Sequence, residues 1–264
     1  MNNYSISAKD LERIKRFRLI DDEFMSVCFK DSIECTELVV QIILDRKNIK
    51  VKEVQVQHQL KNLNGRSVTL DIYAVDADNK RYNIEIQKAD IGAGVKRARY
   101  HSSLIDTSLL KKGNDTDKLP ETFIIFITEH DVFKKGLPIY HIDRTIKENG
   151  DNFGDGTHII YVNGSIKGKN ALGKLMEDFF CTEPDKMNYK ILADRTRQFK
   201  EDMEGVRNMN SVVDEIREEG RLESSIQTAK RMLKLGKLTY EDIATCTDLP
   251  LSEILKLAQE KNAK

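Results

Sequence analysis

Residues 68–87 read VTLDIYAVDADNKRYNIEIQ, and their alternation decides the fold class. Val68, Leu70, Ile72 and Ala74 share one side of an extended segment, and Tyr82, Ile84 and Ile86 share one side of the next. Side chains alternate across a strand. A period of two therefore predicts strands over Val68–Val75 and Arg81–Lys88, joined by a turn at Asp76–Lys80. Asp71 leaves the apolar side with Thr69 and Tyr73, and Glu85 shares a side with Gln87. A three-residue loop, Ala77-Asp78-Asn79, sets Asp71 directly opposite Glu85. Such loops commonly end on a left-handed residue, which Asn tolerates. Opposite Cβ atoms stand about 4.5–5.5 Å apart. Two carboxylates that close repel each other unless a cation lies between them, and Mg2+ prefers such oxygen ligands.

Outward from this hairpin, Lys50–Leu60 alternates as well, with Val54, Val56, His58 and Leu60 on one face and Val51 partly out of step. Asn62–Gly65 is a turn cluster. Residues 22–45 space their apolar positions by three and four, as a helix does, with a break suggested at Asp31-Ser32. Downstream, Gly92 and Gly94 punctuate the chain before a helix over Val95–Leu110. FIIFIT, residues 123–128, is a continuous apolar run, the mark of a strand buried on both faces. Ile139–Ile142 and His158–Val162 are shorter strand candidates. From Lys169 the pattern is helical: Ala171–Phe180, about Asn188–Val206, and a charged helix through Leu235. Two short helices, Tyr240–Thr245 and Leu251–Gln259, flank Asp248-Leu249-Pro250. The order gives a mixed α/β core over residues 1–185, with an all-α extension over 186–264 whose end has a helix-turn-helix rhythm. With Lys256 as the one base in residues 240–257, that end reads as a small protein-contact module, for a partner or a second copy, rather than a major-groove reader.

The 264 residues carry 43 basic and 43 acidic side chains, for zero formal charge, and 39% are hydrophobic. A generally basic, histone-like nucleic-acid binder is excluded, although a local basic groove is not. No apolar run reaches the ~18 residues of a membrane span, and Met1–Arg18 lacks the apolar core of a signal peptide. Cys28, Cys35, Cys181 and Cys246 have no metal-ligand spacing and are expected as reduced thiols in a cytoplasmic protein. The five histidines show no paired spacing, no Ser–His–Asp arrangement can be assembled, and Gly92-Ala-Gly94 is not a phosphate loop.

LDIYAVDADNKRYNIEIQ, residues 70–87, followed by VKRARYHSSL, residues 95–104, in a helix, three-strand, helix, strand order, resembles the PD-(D/E)XK nuclease superfamily. More closely it resembles the transposase-like branch, the recombination-promoting nucleases, over about residues 10–165. That resemblance implies a restriction-endonuclease-like core, a mixed central sheet flanked by helices in the order αβββαβ. It implies a DNA endonuclease dependent on Mg2+, with Mn2+ as an alternative, acting in recombination or transposition. Asp71 and Glu85 would be metal ligands, and Gln87 the third motif residue that places water. Gln87 stands where the superfamily has Lys, and an amide is neither a cation nor a base. An acid from the first helix joins such sites: Glu37 is the best match, with Glu34 and Asp22 as rivals.

The same resemblance turns the helix after the strands toward the site. Lys96, Arg97 and Arg99 then become candidate DNA contacts, Arg through bidentate grip on phosphate, with His101 nearby. Lys88, Lys96, Arg97, Arg99, Lys111 and Lys112 outweigh Asp90 and Asp106 and form the best electrostatic track for DNA. Gln55, Gln57 and Gln59 line one face of the first strand, as DNA contacts or as a polar outer face. Three readings follow: a metal-dependent DNA endonuclease, a nuclease fold that binds DNA without cutting, and a protein-interaction factor acting through the helical tail.

Overall fold

The computed structural model describes residues 6–62, 65–88 and 90–262. The hairpin forms as its alternation predicts. β2 (Val68–Asp76) and β3 (Arg81–Gln87) pair antiparallel with Ile72 opposite Ile84 and Ala74 opposite Tyr82. Asn79 ends the loop with φ 67°. Asp76 accepts from Lys80 N–H at 2.9 Å and so closes the turn. β1 (Val51–Leu60) lies antiparallel outside β2, and a bulge between Val51 and Glu53 accounts for the missed alternation there.

β4 (Thr122–Thr128) is buried along its whole length because it lies parallel between β3 and β6 (Thr157–Asn163). β5 (Ile139–Ile142) closes the edge antiparallel to β6, giving the order β1-β2-β3-β4-β6-β5. Of the turn expected at Asn62–Gly65, residues 63 and 64 lie outside the described residues, as do residues 1–5 of the polar N-terminal stretch.

The apolar segment at 22–45 forms two helices, α2 (Asp22–Phe29) and α3 (Ile33–Ile43), after a short α1 (Ala8–Arg16) that the polar start of the sequence concealed. Asp31 adopts φ 56°, which breaks the segment where Asp31-Ser32 suggested. α2 lies against β1 and β2, and α3 against β1. α4 (Val95–Leu109) lies over β4 and β6, where Ala98 and Ile105 join Ile124, Phe126 and Tyr161 in one cluster. α5 (Ala171–Phe180) adds Phe179, whose ring stands 6.3 Å from that of Phe29.

The first compact unit runs to Met209, past the expected boundary at residue 185. The reason is α6 (Lys190–Lys200), which the expected boundary assigned to the helical extension. Two of its bases instead tie it to backbone carbonyls of the first unit. Arg195 donates to the carbonyls of Cys28 and Lys30, and Lys200 Nζ to those of Phe17, Thr182 and Lys15.

The second unit, Asn210–Lys264, contains the later turns of α7 (Met203–Leu235), then α8 (Tyr240–Thr247) and α9 (Leu251–Asn262). Leu233, Ile243, Leu249, Ile254 and Leu257 form its core. Thr239 and Asp242 make a capping box at the start of α8, and Asp248, at φ 54°, turns the chain into α9.

Candidate active site

Carried one pair beyond Ile72–Ile84, the β2–β3 register sets Asp71 opposite Glu85, as the loop length required. Backbone pairing stops short of that rung, and the two carboxylates take its place. Glu85 Oε1 accepts from Asp71 N–H at 3.4 Å, and Asp71 Oδ2 accepts from Ile86 N–H at 2.9 Å. Each acid thus satisfies a donor that the parting strands release, and both sit in the fork. β3 continues beside β4, with Glu85 opposite Phe126 and Gln87 opposite Thr128. Glu85 is fully buried and Asp71 is 8% exposed. Burial, and next the charge of Glu85, push the Asp71 carboxyl up to about 8, against the pull of the Ile86 N–H.

Gln57 lies across from Asp71 on β1, between the pairs Val56–Ile72 and His58–Leu70. Its φ is 52°. A non-glycine residue in that region stores strain, which concentrates at functional sites. Its side chain, expected on an outer strand face, donates to Ser26 Oγ on α2 at 3.2 Å.

The helix after the hairpin delivers one cation and one imidazole, one turn apart. Arg97 Nη2 stands 3.0 Å from Glu85 Oε2, and Arg97 Nε donates to His101 Nε2 at 3.2 Å. His101 Nδ1 lies 3.4 Å from Glu85 Oε1 and 3.2 Å from Asn83 Nδ2. An imidazole that accepts at Nε2 is neutral and carries its proton on Nδ1, facing Glu85. The Asn83 amide oxygen is buried without a partner, and rotating that amide would set the oxygen on this proton. Arg97 and His101 therefore hold Glu85 from two sides.

Gln87 is half-buried, and its amide lies on Gly92: a Cβ added there would stand 1.7 Å from Gln87 Oε1. The glycine is needed for this close approach. The GAG spacing just after the motif strand was the available signal.

Of the first-helix acids, Asp22 comes near the pair. Its neighbour Asp21 is buried and held by Arg18 N–H at 2.7 Å and Lys88 Nζ at 2.6 Å, which ties the start of α2 to the end of β3. Asp22 reaches solvent, yet partial burial and then the charges of Glu23 and Glu85 push its carboxyl up, and its own charge acts on Asp71.

Glu37 does not join them. Its carboxylate accepts from Val51 N–H at 2.9 Å, Lys50 Nζ at 2.9 Å and Gln41 Nε2 at 3.2 Å. Val51 pairs with Asp76, so Glu37 stands at the other end of the β1–β2 pair. The break at Asp31 is the physical reason, because the later acids ride on α3, along β1. Glu34 is exposed in the first turn of α3.

Lys88 of the expected DNA track is engaged with Asp21, and Arg97 with Glu85, while Lys96, Arg99, Lys111 and Lys112 are exposed. The side chain of Asp90 lies outside the described residues.

Among the described residues, no group of three or more His, Cys, Asp or Glu side chains is arranged to hold a metal. Asp71 and Glu85 remain a hard, all-oxygen donor pair whose mutual repulsion a cation would relieve.

No curated protein and no solved structure matches this chain. A sequence model of the PD-(D/E)XK nuclease family transposases matches residues 37–172, just over half of it. Asp71, Glu85, Gln87, Arg97 and His101 fall inside the matched segment, and Asp22 falls before it. The chain belongs to the PD-(D/E)XK nuclease family transposases.

Proposed function

We propose that the chain is a Mg2+-dependent DNA endonuclease, with Mn2+ as an alternative ion, hydrolysing phosphodiester bonds in recombination or transposition. One observation carries the reading: two acids share a fork between strands, and the Asp71 carboxyl is driven up by burial and by Glu85. PD-(D/E)XK nucleases typically use divalent metals. The oxygen donors here suit Mg2+ or Mn2+, and Mg2+ sites commonly use one or two carboxylates completed by water and substrate phosphate.

Asp71 and Glu85 would hold the ion, with Asp22, rather than Glu37, as the nearby third acid. When bound, the ion supplies positive charge to the phosphate oxygens and a more acidic water. The chain's own groups do the rest. Arg97 is 40% exposed, and once Glu85 is neutralised its guanidinium is released to grip phosphate. His101 keeps Glu85 oriented from the buried side. Gln87 hydrogen-bonds water or a phosphate oxygen, but it takes up no proton. Phe126, the buried residue paired with Glu85 on the same face of the sheet, adds apolar surface beside the acids, which strengthens each charge interaction there. Lys96 and Arg99 extend the contact along the DNA backbone.

The proposal sets the protein in the cytoplasm, and no described helix is long and apolar enough to cross a membrane. It gives the unit Asn210–Lys264 a contact with a protein partner or a second copy.

Gln87 in the place of Lys favours a second reading, a nuclease fold that binds DNA without cutting it. Supercoiled plasmid incubated with Mg2+ or Mn2+ decides between them. The endonuclease reading expects nicking by the wild type and its loss in Asp71→Ala and Glu85→Gln. Equal nicking by all three proteins removes these residues from the chemistry. DNA retention without nicking by the wild type selects the second reading.

A further inference from the structure

Tyr161 stands on the same rung of the sheet as the acids: Glu85 pairs with Phe126, and Phe126 with Tyr161. Paired residues on neighbouring strands point to the same face, and the rings agree. His101, beside Glu85, is 6.3 Å from Phe126, and Phe126 stacks on Tyr161 at 5.2 Å. Two strand spacings separate Tyr161 from Glu85 by about 10 Å.

Beside Tyr161 opens a cavity of about 310 Å3 with apolar walls from Val95, Phe133, Ile142 and Ile159. Arg99, Asp143, Arg144 and Thr157 complete the lining; both arginines reach solvent, and Arg144 is paired with Asp155, an exposed ion pair that phosphate can replace. Tyr161 is 2% exposed, and its hydroxyl is buried with no hydrogen-bond partner. Burial pushes its phenol up to about 12, so the hydroxyl keeps its proton and remains a donor. A buried hydroxyl is rarely left unpaired in a native protein.

We propose that this cavity receives one unstacked nucleobase of the bound DNA, with Tyr161 hydrogen-bonding its polar edge and Arg99 and Arg144 meeting the flanking phosphates. The inference rests on the endonuclease reading, which brings DNA to Asp71 and Glu85. The volume is at the low end of the ~300–1,000 Å3 range of ligand pockets, enough for a base and small for a folded peptide. Apolar walls with one buried polar group suit a flat ring that carries one hydrogen-bonding edge. Guanidinium groups suit the phosphates on either side. At 3.4 Å per nucleotide, the 10 Å separation places the base within about three nucleotides of the cleaved bond. Extrusion costs least for a base already mismatched or unpaired, so the site selects duplexes with such a lesion near the cut.

The test uses the full chain, with Ca2+ replacing Mg2+, and DNA duplexes carrying 2-aminopurine at an unpaired or a fully paired position. The proposal expects fluorescence to rise several-fold when the wild type binds the unpaired duplex. Val95→Trp, at an exposed position of the wall, should abolish the rise. Tyr161→Phe, which deletes one oxygen, should cut the preference for the unpaired duplex about tenfold. Bound DNA with unchanged fluorescence, or a full rise in both variants, overturns the proposal. A parallel Mg2+ nicking assay reports on the endonuclease reading separately. Absent nicking, with the fluorescence pattern intact, sinks that reading and leaves the base pocket standing. Loss of all DNA binding by the wild type sinks both.

Discussion

Strand β2 buries two aspartates, Asp76 as its last residue and Asp71 near its middle, and they differ in what surrounds them. Asp76 at the turn is 2% exposed and meets donors, Lys80 N–H at 2.9 Å and the Tyr82 hydroxyl at 2.6 Å. Asp71 at the fork meets one donor, Ile86 N–H, and a second carboxylate. Asp178 resembles Asp76: it is fully buried and accepts from Asn188 N–H at 2.6 Å and Tyr189 N–H at 2.8 Å. A buried acid ringed by donors holds the chain in place. A buried acid facing another acid is costly until a cation arrives. Burial alone does not separate the two cases, and the inventory of donors does.

That contrast predicts effects of decreasing size. Asp71→Ala and Glu85→Gln should lower nicking on the order of 10²–10³-fold, as loss of a preorganised electrostatic group does, while Asp76→Ala leaves the rate per folded molecule unchanged. Plasmid nicking normalised to the folded fraction reads this directly. A divalent ion at one hundred times its dissociation constant should stabilise the wild type by about 2.7 kcal/mol. Thermal melting with and without Mg2+ should show no such gain in Asp71→Asn. Asp76→Ala strands the Tyr82 hydroxyl and the Lys80 N–H and should cost about 1–3 kcal/mol, seen as a lower urea midpoint.

The pH dependence of the metal-free protein follows from the sign of the Asp71 shift. Its carboxyl titrates near 3.8 in the unfolded chain and is pushed up to about 8 in the fold. Between those values the folded state keeps a proton that the unfolded state has lost. Its stabilising contribution is complete below about 4 and disappears as pH rises through about 8. Urea midpoints in EDTA should therefore fall between pH 5 and pH 8.5, and Asp71→Asn should flatten the fall. The smallest effect belongs to Gly92→Ala. The added methyl displaces the flexible end of Gln87, so stability should move by less than ~1 kcal/mol while nicking drops a few-fold.

The hairpin and its acids were legible because every cue was local: strict alternation, a three-residue loop and an asparagine suited to its end. The apolar run at 123–128 likewise announced a strand covered on both faces. The first-helix acid was not legible. Its identity depends on where α2 and α3 part and on the Asp21–Lys88 pair that ties α2 to β3, contacts between residues far apart in sequence. Glu37 has a favourable position in the chain and the wrong end of the strand pair in space. The reach of the first unit to Met209 was hidden for a related reason. Periodicity marks α6 only as a helix of the extension, whereas Arg195 and Lys200 donate to carbonyls within the fold. The support around Glu85 also needed the third dimension, since Arg97 and His101 reveal their task only once α4 lies over the sheet.

Mn2+ binding to the purified full-length protein, followed by electron paramagnetic resonance, tests the central claim most directly. The account predicts a site that saturates in the wild type and in folded Asp76→Ala, and that disappears in both Asp71→Asn and Glu85→Gln. Unchanged Mn2+ titrations in those two variants would contradict it.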